Sequence, residues 1–257
     1  MQDKGDPGDK EFMTTLAKGL AVLGAFGRQR PTMTLAEAAQ IADLSRATAR
    51  RVLRTLTQLG YVEQEGRTFS LSPRILDLGF AYLSTKSWIE LALPLMRELS
   101  ERLSESCSAA ILQGNDIVYV ARVPARRIMS AALSVGSRLP ALHTALGRVL
   151  LGHLDEAELW QRLKSQRVEA YTPQTITDLQ ALFDRIRADR VQGFSIVDEE
   201  LELGLRALAV PVLDRAGQAV GAINLSTHST RTTRNEMRER FLPELNRIAD
   251  HISSMTV

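Results

Sequence analysis

TLAEAAQIADLSRATARRVLRTLTQLGY, residues 34–61, decides the fold of the first part of this chain. Thr34 can cap a helix and Glu37, three residues on, completes a capping-box pattern. Leu35, Ala38, Ala39 and Ala42 give that helix a small-residue face. Asp43-Leu44 turns the corner, and Ser45 is a natural N-cap for a second helix. That helix carries Arg46, Arg50, Arg51 and Arg54, and no acidic residue lies between Leu44 and Val62. Val52, Leu53, Leu56 and Leu59 recur at helical spacing, so an apolar stripe backs a basic face. Gly60 closes the helix in the position that favours a left-handed residue. A helix seated on a small core with its arginines outward is suited to the DNA major groove. Its first turn, Ser45, Arg46, Ala47 and Thr48, is the part that reaches base edges. Which arginines read bases and which hold phosphates stays open. Tyr61–Glu63 and Thr68–Leu71 read as a hairpin wing around Glu65-Gly66-Arg67, with Arg67 placed for a phosphate or minor-groove contact.

Working outward, residues 1–10 are polar and bear Gly and Pro, the composition of a disordered tail. Leu16, Leu20, Leu23 and Phe26 predict a helix over Phe12–Phe26 that completes a three-helix core. Residues 11–72 thus form a mostly helical winged helix-turn-helix domain. Pro73 suits the start of a linker helix, residues 73–87, with Ile75, Leu76, Leu78, Tyr82 and Leu83 as apolar anchors. Ser84–Ser87 is a small polar break. Residues 88–257 alternate helices and strands. A helix over Glu90–Ser104 precedes strands at Ser108–Gln113, Ile117–Val123 and Met129–Val135. Pro140 opens a helix reaching His153, and helices follow at Glu156–Lys164 and Thr177–Arg190. Strands at Phe194–Asp198, Ala207–Leu213 and Ala219–Ser226 lead to a last helix, Arg234–Ser253. The whole is an α/β two-domain chain, a winged helix followed by an α+β domain of the sensor kind.

The 257 residues have a formal net charge of +2, so the basic character is local to the recognition helix. A single cysteine, Cys107, excludes an intrachain disulfide and fits a reducing compartment. No apolar stretch of spanning length or signal-peptide pattern occurs, which predicts a cytoplasmic protein without membrane partners. No metal-ligand spacing is present, and neither GxxxxGK[ST] nor GxGxxG occurs, so no cofactor is expected. Asp198, Glu199, Glu200 and Glu202 read as an acidic loop with ion pairing to Arg206. Two rival classes are a cysteine-dependent enzyme built on Cys107 and a histidine, and a ligand sensor that reads no DNA. A lone cysteine is usually a small buried hydrophobe and no GxSxG elbow occurs, while the arginine face argues against the second.

LAKGLAVLGAF (16–26), LSRATARRVLRTLTQLGYV (44–62), GSRLPALHTALGRVLL (136–151) and GFSIVDEELELGLRALAVPV (193–212) resemble the IclR-type transcriptional regulators, in order and over nearly the whole chain. DIVYVARVPARRIMSAALSVGSRLP (116–140) is similar to the branch that governs aromatic-acid catabolism, the protocatechuate and 4-hydroxybenzoate regulators. The resemblance implies a helical linker and a GAF-like effector domain without enzymatic activity. It also implies a palindromic double-stranded operator and a dimer or dimer of dimers paired through N-terminal helices; contact with RNA polymerase is left open. The expected effector is a small aromatic or keto acid, and another IclR-type pathway with a different organic acid is the alternative. By position, Leu139, Ala145, Leu146, Leu205 and Ala207 would line the cavity, and Thr144, Asn224 and Ser226 would supply polar contacts. Ala207 stands where several members carry a polar or sulfur side chain, which favours an effector bulkier than glyoxylate. Physically, the helix after Pro140 offers free N–H groups around His143 to Leu146 to a carboxylate. His143 is either a ligand contact or a helix-start residue satisfied locally. Arg138 and Arg148, flanking the segment, are either attractors of an anion or, as surface arginines usually are, solvated.

Overall fold

A computed structural model of the chain describes residues 11–27, 29–125 and 133–255. The expected tail at 1–10 lies outside them. The chain divides into two compact units, Met1–Tyr82 and Leu83–Val257.

In the first unit α1 (Thr14–Gly24), α2 (Leu35–Ile41) and α3 (Arg46–Gln58) pack with a three-stranded sheet, order β1-β3-β2. The strands are β1 (Thr32–Thr34), β2 (Val62–Glu65) and β3 (Thr68–Leu71). The capping box forms as read: Glu37 N–H donates to Thr34 Oγ1, and Thr34 N–H donates to Glu37 Oε2 at 2.7 Å. Asp43 takes φ 52° at the corner and Gly60 φ +78° after α3. β1 was not legible, because Thr34 both ends it and caps α2. The core comprises Val22, Phe26, Met33, Ala38, Val52, Leu53, Leu56 and Val62.

Several expected core residues are elsewhere. Leu16 and Leu20 are 57% and 58% exposed, and the inward side chains here are Val22 of α1 and Phe26 just beyond its end. Leu59 is exposed at the end of α3, and Ala49 is buried in its place. In α4 (Ile75–Ser84), Leu76, Leu78 and Tyr82 are exposed, and no residue of that helix is buried. Arg74 ties the helix start to α3 instead: its Nη1 donates to the Leu59 carbonyl at 2.8 Å and its guanidinium lies over the Tyr61 ring.

The second unit is a six-stranded antiparallel sheet, order β6-β5-β4-β9-β8-β7. Its strands are β4 (Ser106–Gln113), β5 (Asp116–Val123), β6 (Arg138–Pro140), β7 (Ser195–Asp198), β8 (Leu205–Leu213) and β9 (Ala219–His228). One face is covered by α5 (Ser87–Leu103) and α10 (Leu242–Met255), with Trp88, Met96, Leu99, Leu245 and Ile248 packed on Cys107, Ala109, Leu208, Ile223 and Leu225. The other is covered by α6 (Ala145–Leu151), α7 (Glu156–Lys164) and α8 (Leu179–Gln192), over Ala110, Ile117, Ala209 and Ala222. α9 (Arg234–Glu236) runs through five π-helical residues, Met237–Phe241, into α10. Alanines on the sheet let α6 lie close to it.

Two boundaries differ from expectation. Of the strand expected at Met129–Val135, residues 129–132 lie outside the described residues and 133–135 form no strand; β5 pairs instead with Arg138–Pro140. The helix expected from Pro140 to His153 is a 3-10 turn at Ala141–His143, then an extended Thr144 (φ −121°, ψ 144°), then α6. Thr144 Oγ1 accepts the Gly147 N–H at 3.0 Å, and an N-cap residue must leave the helical conformation to do this. Gly147 is required there: a Cβ would stand 2.1 Å from the Ala141 carbonyl oxygen.

Gly147→Ala is expected to destabilise the second unit by about 1–3 kcal/mol or more through overpacking. Urea unfolding followed by tryptophan fluorescence reads this unit, which holds both tryptophans, Trp88 and Trp160; an unchanged midpoint refutes the packing account.

Candidate DNA-binding face and effector site

Arg46, Arg50 and Arg54 sit four residues apart on α3 and therefore share one side of the helix. With Arg67 from the wing and Thr34, Gln64 and Phe69 they line an open groove of about 840 Å³. All four arginines are exposed, and no ion pair engages them among the described residues. Four unneutralised guanidiniums around one concave face attract a polyanion. Arg51 is exposed on α3 but does not line the groove, and neither does Ala47. Ser45 and Thr48 are engaged with each other: Ser45 Oγ accepts the Thr48 N–H at 3.2 Å and lies 2.9 Å from its hydroxyl. Their first duty is to start the helix.

The nine residues expected around an effector fall on α6, its preceding turn and one sheet face. Asn224 and Ser226 of β9 and Ala207 of β8 project towards α6, since their neighbours Ile223, Leu225 and Leu208 face the opposite core. Asn224 is buried, its Nδ2 donates to Ser226 Oγ at 3.0 Å, and its Oδ1 has no hydrogen-bond partner among the described residues. Ala145 and Leu146 are buried in the first turn of α6, while Leu139, Leu205, Ala207 and Ser226 are half-buried. Of the N–H groups expected to meet an anion, that of Thr144 already donates to the Ala141 carbonyl, at 3.4 Å.

His143 is buried, its Nδ1 has no hydrogen-bond partner among the described residues, and its ring meets Tyr171 edge-on at 5.2 Å. Burial pushes its pKa down to about 4, assisted by the Arg148 charge and opposed by Glu200 and Glu169. It is a neutral imidazole at ordinary pH.

The expectation for Arg148 is corrected. It is not a solvated surface residue but has no exposed area, and it forks onto Glu200, Nη1 to Oε1 at 2.7 Å and Nη2 to Oε2 at 2.5 Å. Its Nε donates to the Leu142 carbonyl at 2.8 Å. Glu200 was read only as part of an acidic loop; of that loop, Asp198 pairs with Arg206 as expected, at 2.7 Å. The sequence carries no local signal for a pair 52 residues apart. Arg138 does lie at the surface, paired with Asp116. Ser108 and Arg122, in contact across β4 and β5, were also missed. Cys107 is fully buried and its thiol is pushed up to about 12 by burial, the setting of a packed side chain rather than a nucleophile. Among the described residues no cluster of three or more metal-ligating side chains occurs, and no helix is long and apolar enough to cross a membrane.

A winged helix with a free basic groove, followed by an α+β unit with unsatisfied buried polar atoms, defines a ligand-responsive DNA-binding regulator. The model of the IclR helix-turn-helix domain matches residues 15–66, and that of the bacterial transcriptional regulator IclR C-terminal domain matches residues 80–254. The chain belongs to the IclR family, a family of transcriptional regulators and not of enzymes. It is 45% identical to the Pca regulon regulatory protein of Pseudomonas putida over 239 residues, 93% of this chain and 82% of that one. It is 32% identical to the p-hydroxybenzoate hydroxylase transcriptional activator of Acinetobacter baylyi, covering 96% and 93% of the two chains. The fold is shared with an IclR homologue from Microbacterium hydrocarbonoxydans crystallised with 4-hydroxybenzoate, at 23% identity and a TM-score of 0.84, over 93% and 98% of the chains.

Removing one partner of the Arg148–Glu200 pair leaves a buried charge. Glu200→Gln or Arg148→Met is expected to cost about 3–5 kcal/mol, with Arg148→Met/Glu200→Leu costing less than either. Chemical denaturation of the three variants decides it, and a double variant as damaged as the sum of the singles contradicts the account. A second expectation concerns acid. Because the folded state holds His143 near 4 against an ordinary 6.5, its contribution is full above pH 6.5 and is lost as pH falls towards 4. His143→Gln should therefore lose less melting temperature than the wild type between pH 7 and 4.5; equal losses would refute the assignment.

Proposed function

We propose that this protein is a transcription factor that binds a palindromic operator through α3 and the wing and responds to a small aromatic acid held between α6 and the β8–β9 face. The observation that carries the first half is the groove whose four arginines, Arg46, Arg50, Arg54 and Arg67, meet no carboxylate among the described residues. Arg51 stands off that groove, where it suits a neighbouring phosphate. The second half is supported by the unpartnered Asn224 Oδ1 and His143 Nδ1, buried polar atoms that a ligand would satisfy. The aromatic class is supported by the relatives, since one is the p-hydroxybenzoate hydroxylase transcriptional activator and a protein of the same fold was crystallised with 4-hydroxybenzoate. Within the site, Thr144, Asn224, Ser226 and His143 give the polar contacts and Leu139, Ala145, Leu146, Leu205 and Ala207 the walls. Ala207 leaves room for a ring.

The working form is a homo-oligomer. Phe12, Met13, Leu16 and Leu20 expose apolar surface at one end of the winged-helix unit, as do Leu76, Leu78 and Phe80 on α4. A second copy laid against such surface would pair two winged helices, and a two-fold pair demands a two-fold operator. A DNA-reading regulator of this kind works in the cytoplasm.

Arg46→Ala and Arg50→Ala are each expected to weaken operator binding by about 1–3 kcal/mol at fixed salt while effector binding is kept. Footprinting the DNA upstream of the gene and its neighbours, then titrating the protected site, checks this. Two half-sites a whole number of turns apart support the paired reading. Unchanged affinity in both variants removes the recognition-helix assignment.

A further inference from the structure

We propose that Arg122 receives the effector's carboxylate, with Ser108 orienting its guanidinium. The proposal rests on the effector site just described and names the charge that site needs.

The placement follows from a bulge. β4 and β5 pair Ala109 with Ala121 but Ala110 with Tyr119, so Val120 is an extra residue. Val120 and Ala121 both face the α5–α10 core, and Arg122 is thereby returned to the face of Ile117 and Tyr119. That is the face beneath α6. Arg122 pairs with Ser108, Ser108 pairs with Asn224, and Asn224 pairs with Ala209, so one row across four strands carries an arginine, a serine and an amide. The strands of Arg122 and Asn224 flank β4, about 10 Å apart, a span that a ring-sized acid can bridge.

The electrostatics are unusual within the unit. Arg148, Arg162, Arg185 and Arg206 are withdrawn from solvent, and each meets a carboxylate. Arg122 is also half-buried, yet among the described residues its side chain donates to the neutral Ser108 Oγ, at 3.1 Å from Nη1, and to no carboxylate. A half-buried guanidinium without a counter-charge is costly unless a ligand supplies one. Its planar fork matches a carboxylate with two parallel hydrogen bonds. Beside it, Tyr119 feels the Arg122 charge, and Asn224 Oδ1, in a residue only 3% exposed, awaits a donor. Leu205, Ala207, Ser226 and Arg122 are half-buried where Ser108 and Asn224 are buried, so this face passes from covered to partly solvent-exposed residues.

Calorimetry on the full-length protein tests this with 4-hydroxybenzoate, 3,4-dihydroxybenzoate and 3-oxoadipate, and with the primary carboxamide of whichever acid binds. A charge-assisted fork predicts that Arg122→Gln weakens the acid about 10–150-fold and leaves the carboxamide unchanged, with Arg122→Lys recovering part of the loss. Ser108→Ala should weaken the acid in the same sense by a smaller factor, and it carries the test together with Arg122→Lys if Arg122→Gln fails to fold. Wild-type acid affinity in Arg122→Gln, or equal losses of acid and carboxamide, overturns the role of Arg122 and leaves the effector site standing. No binding of any acid by the wild type overturns the effector class and Arg122 with it.

Discussion

A guanidinium with no exposed surface cannot be left without a counter-charge, and the effector-binding unit is organised around that constraint at Arg148. Its carboxylate comes from Glu200, in the loop between β7 and β8, and its Nε fixes the Leu142 carbonyl in the turn before α6. The same Glu200 residue gives its backbone carbonyl to the Thr175 hydroxyl at 2.6 Å, and the neighbouring Glu199 carbonyl accepts from Thr172. One ion pair therefore joins three irregular segments to a helix of seven residues. Such segments have little apolar surface with which to hold themselves. The Ala141–His143 turn and the opening of α6, where the candidate effector residues stand, are held in place by this fork and by the close contact at Gly147.

The winged-helix unit solves a different problem with one helix. α3 buries Ala49, Val52, Leu53 and Leu56 and turns Arg46, Arg50 and Arg54 outward. The apolar side supplies rigidity, and the basic side keeps its charges free because no acidic residue lies within reach along the helix. Ser45 and Arg74 fix its two ends. Holding arginines free of partners on a rigid element lets counterion release, rather than the breaking of internal ion pairs, accompany DNA binding.

Much of the fold was legible because its signals are local. Capping residues, helical periodicity and turn glycines marked α2, α3 and the wing, apolar runs broken by turns marked most elements of the α+β unit, and the family resemblance joined the two. The misreadings share a cause. Apolar character at helical spacing predicts core positions for Leu16, Leu20 and Leu59 and linker-helix anchors for Leu76, Leu78 and Tyr82, yet an amphipathic pattern does not say how much of an apolar stripe is buried within one chain. Thr144 interrupts what periodicity drew as one helix, since its hydroxyl is used as a cap. Arg122 escaped notice because strict alternation along β5 places it on the opposite face, and only the bulge at Val120 moves it.

By itself the sequence determined that there is a helix-turn-helix with a basic outer face, that a mixed α+β unit follows, and that both belong to one regulator family. These rest on interactions between residues a few positions apart, which spacing alone encodes. Tertiary structure decided which polar groups meet in the second unit: Arg148 with Glu200, Arg122 with Ser108 and in register with Asn224, and His143 with Tyr171. Those partners are brought together by strand register and by burial. Both depend on how the whole sheet closes against its helices, and no local pattern records that.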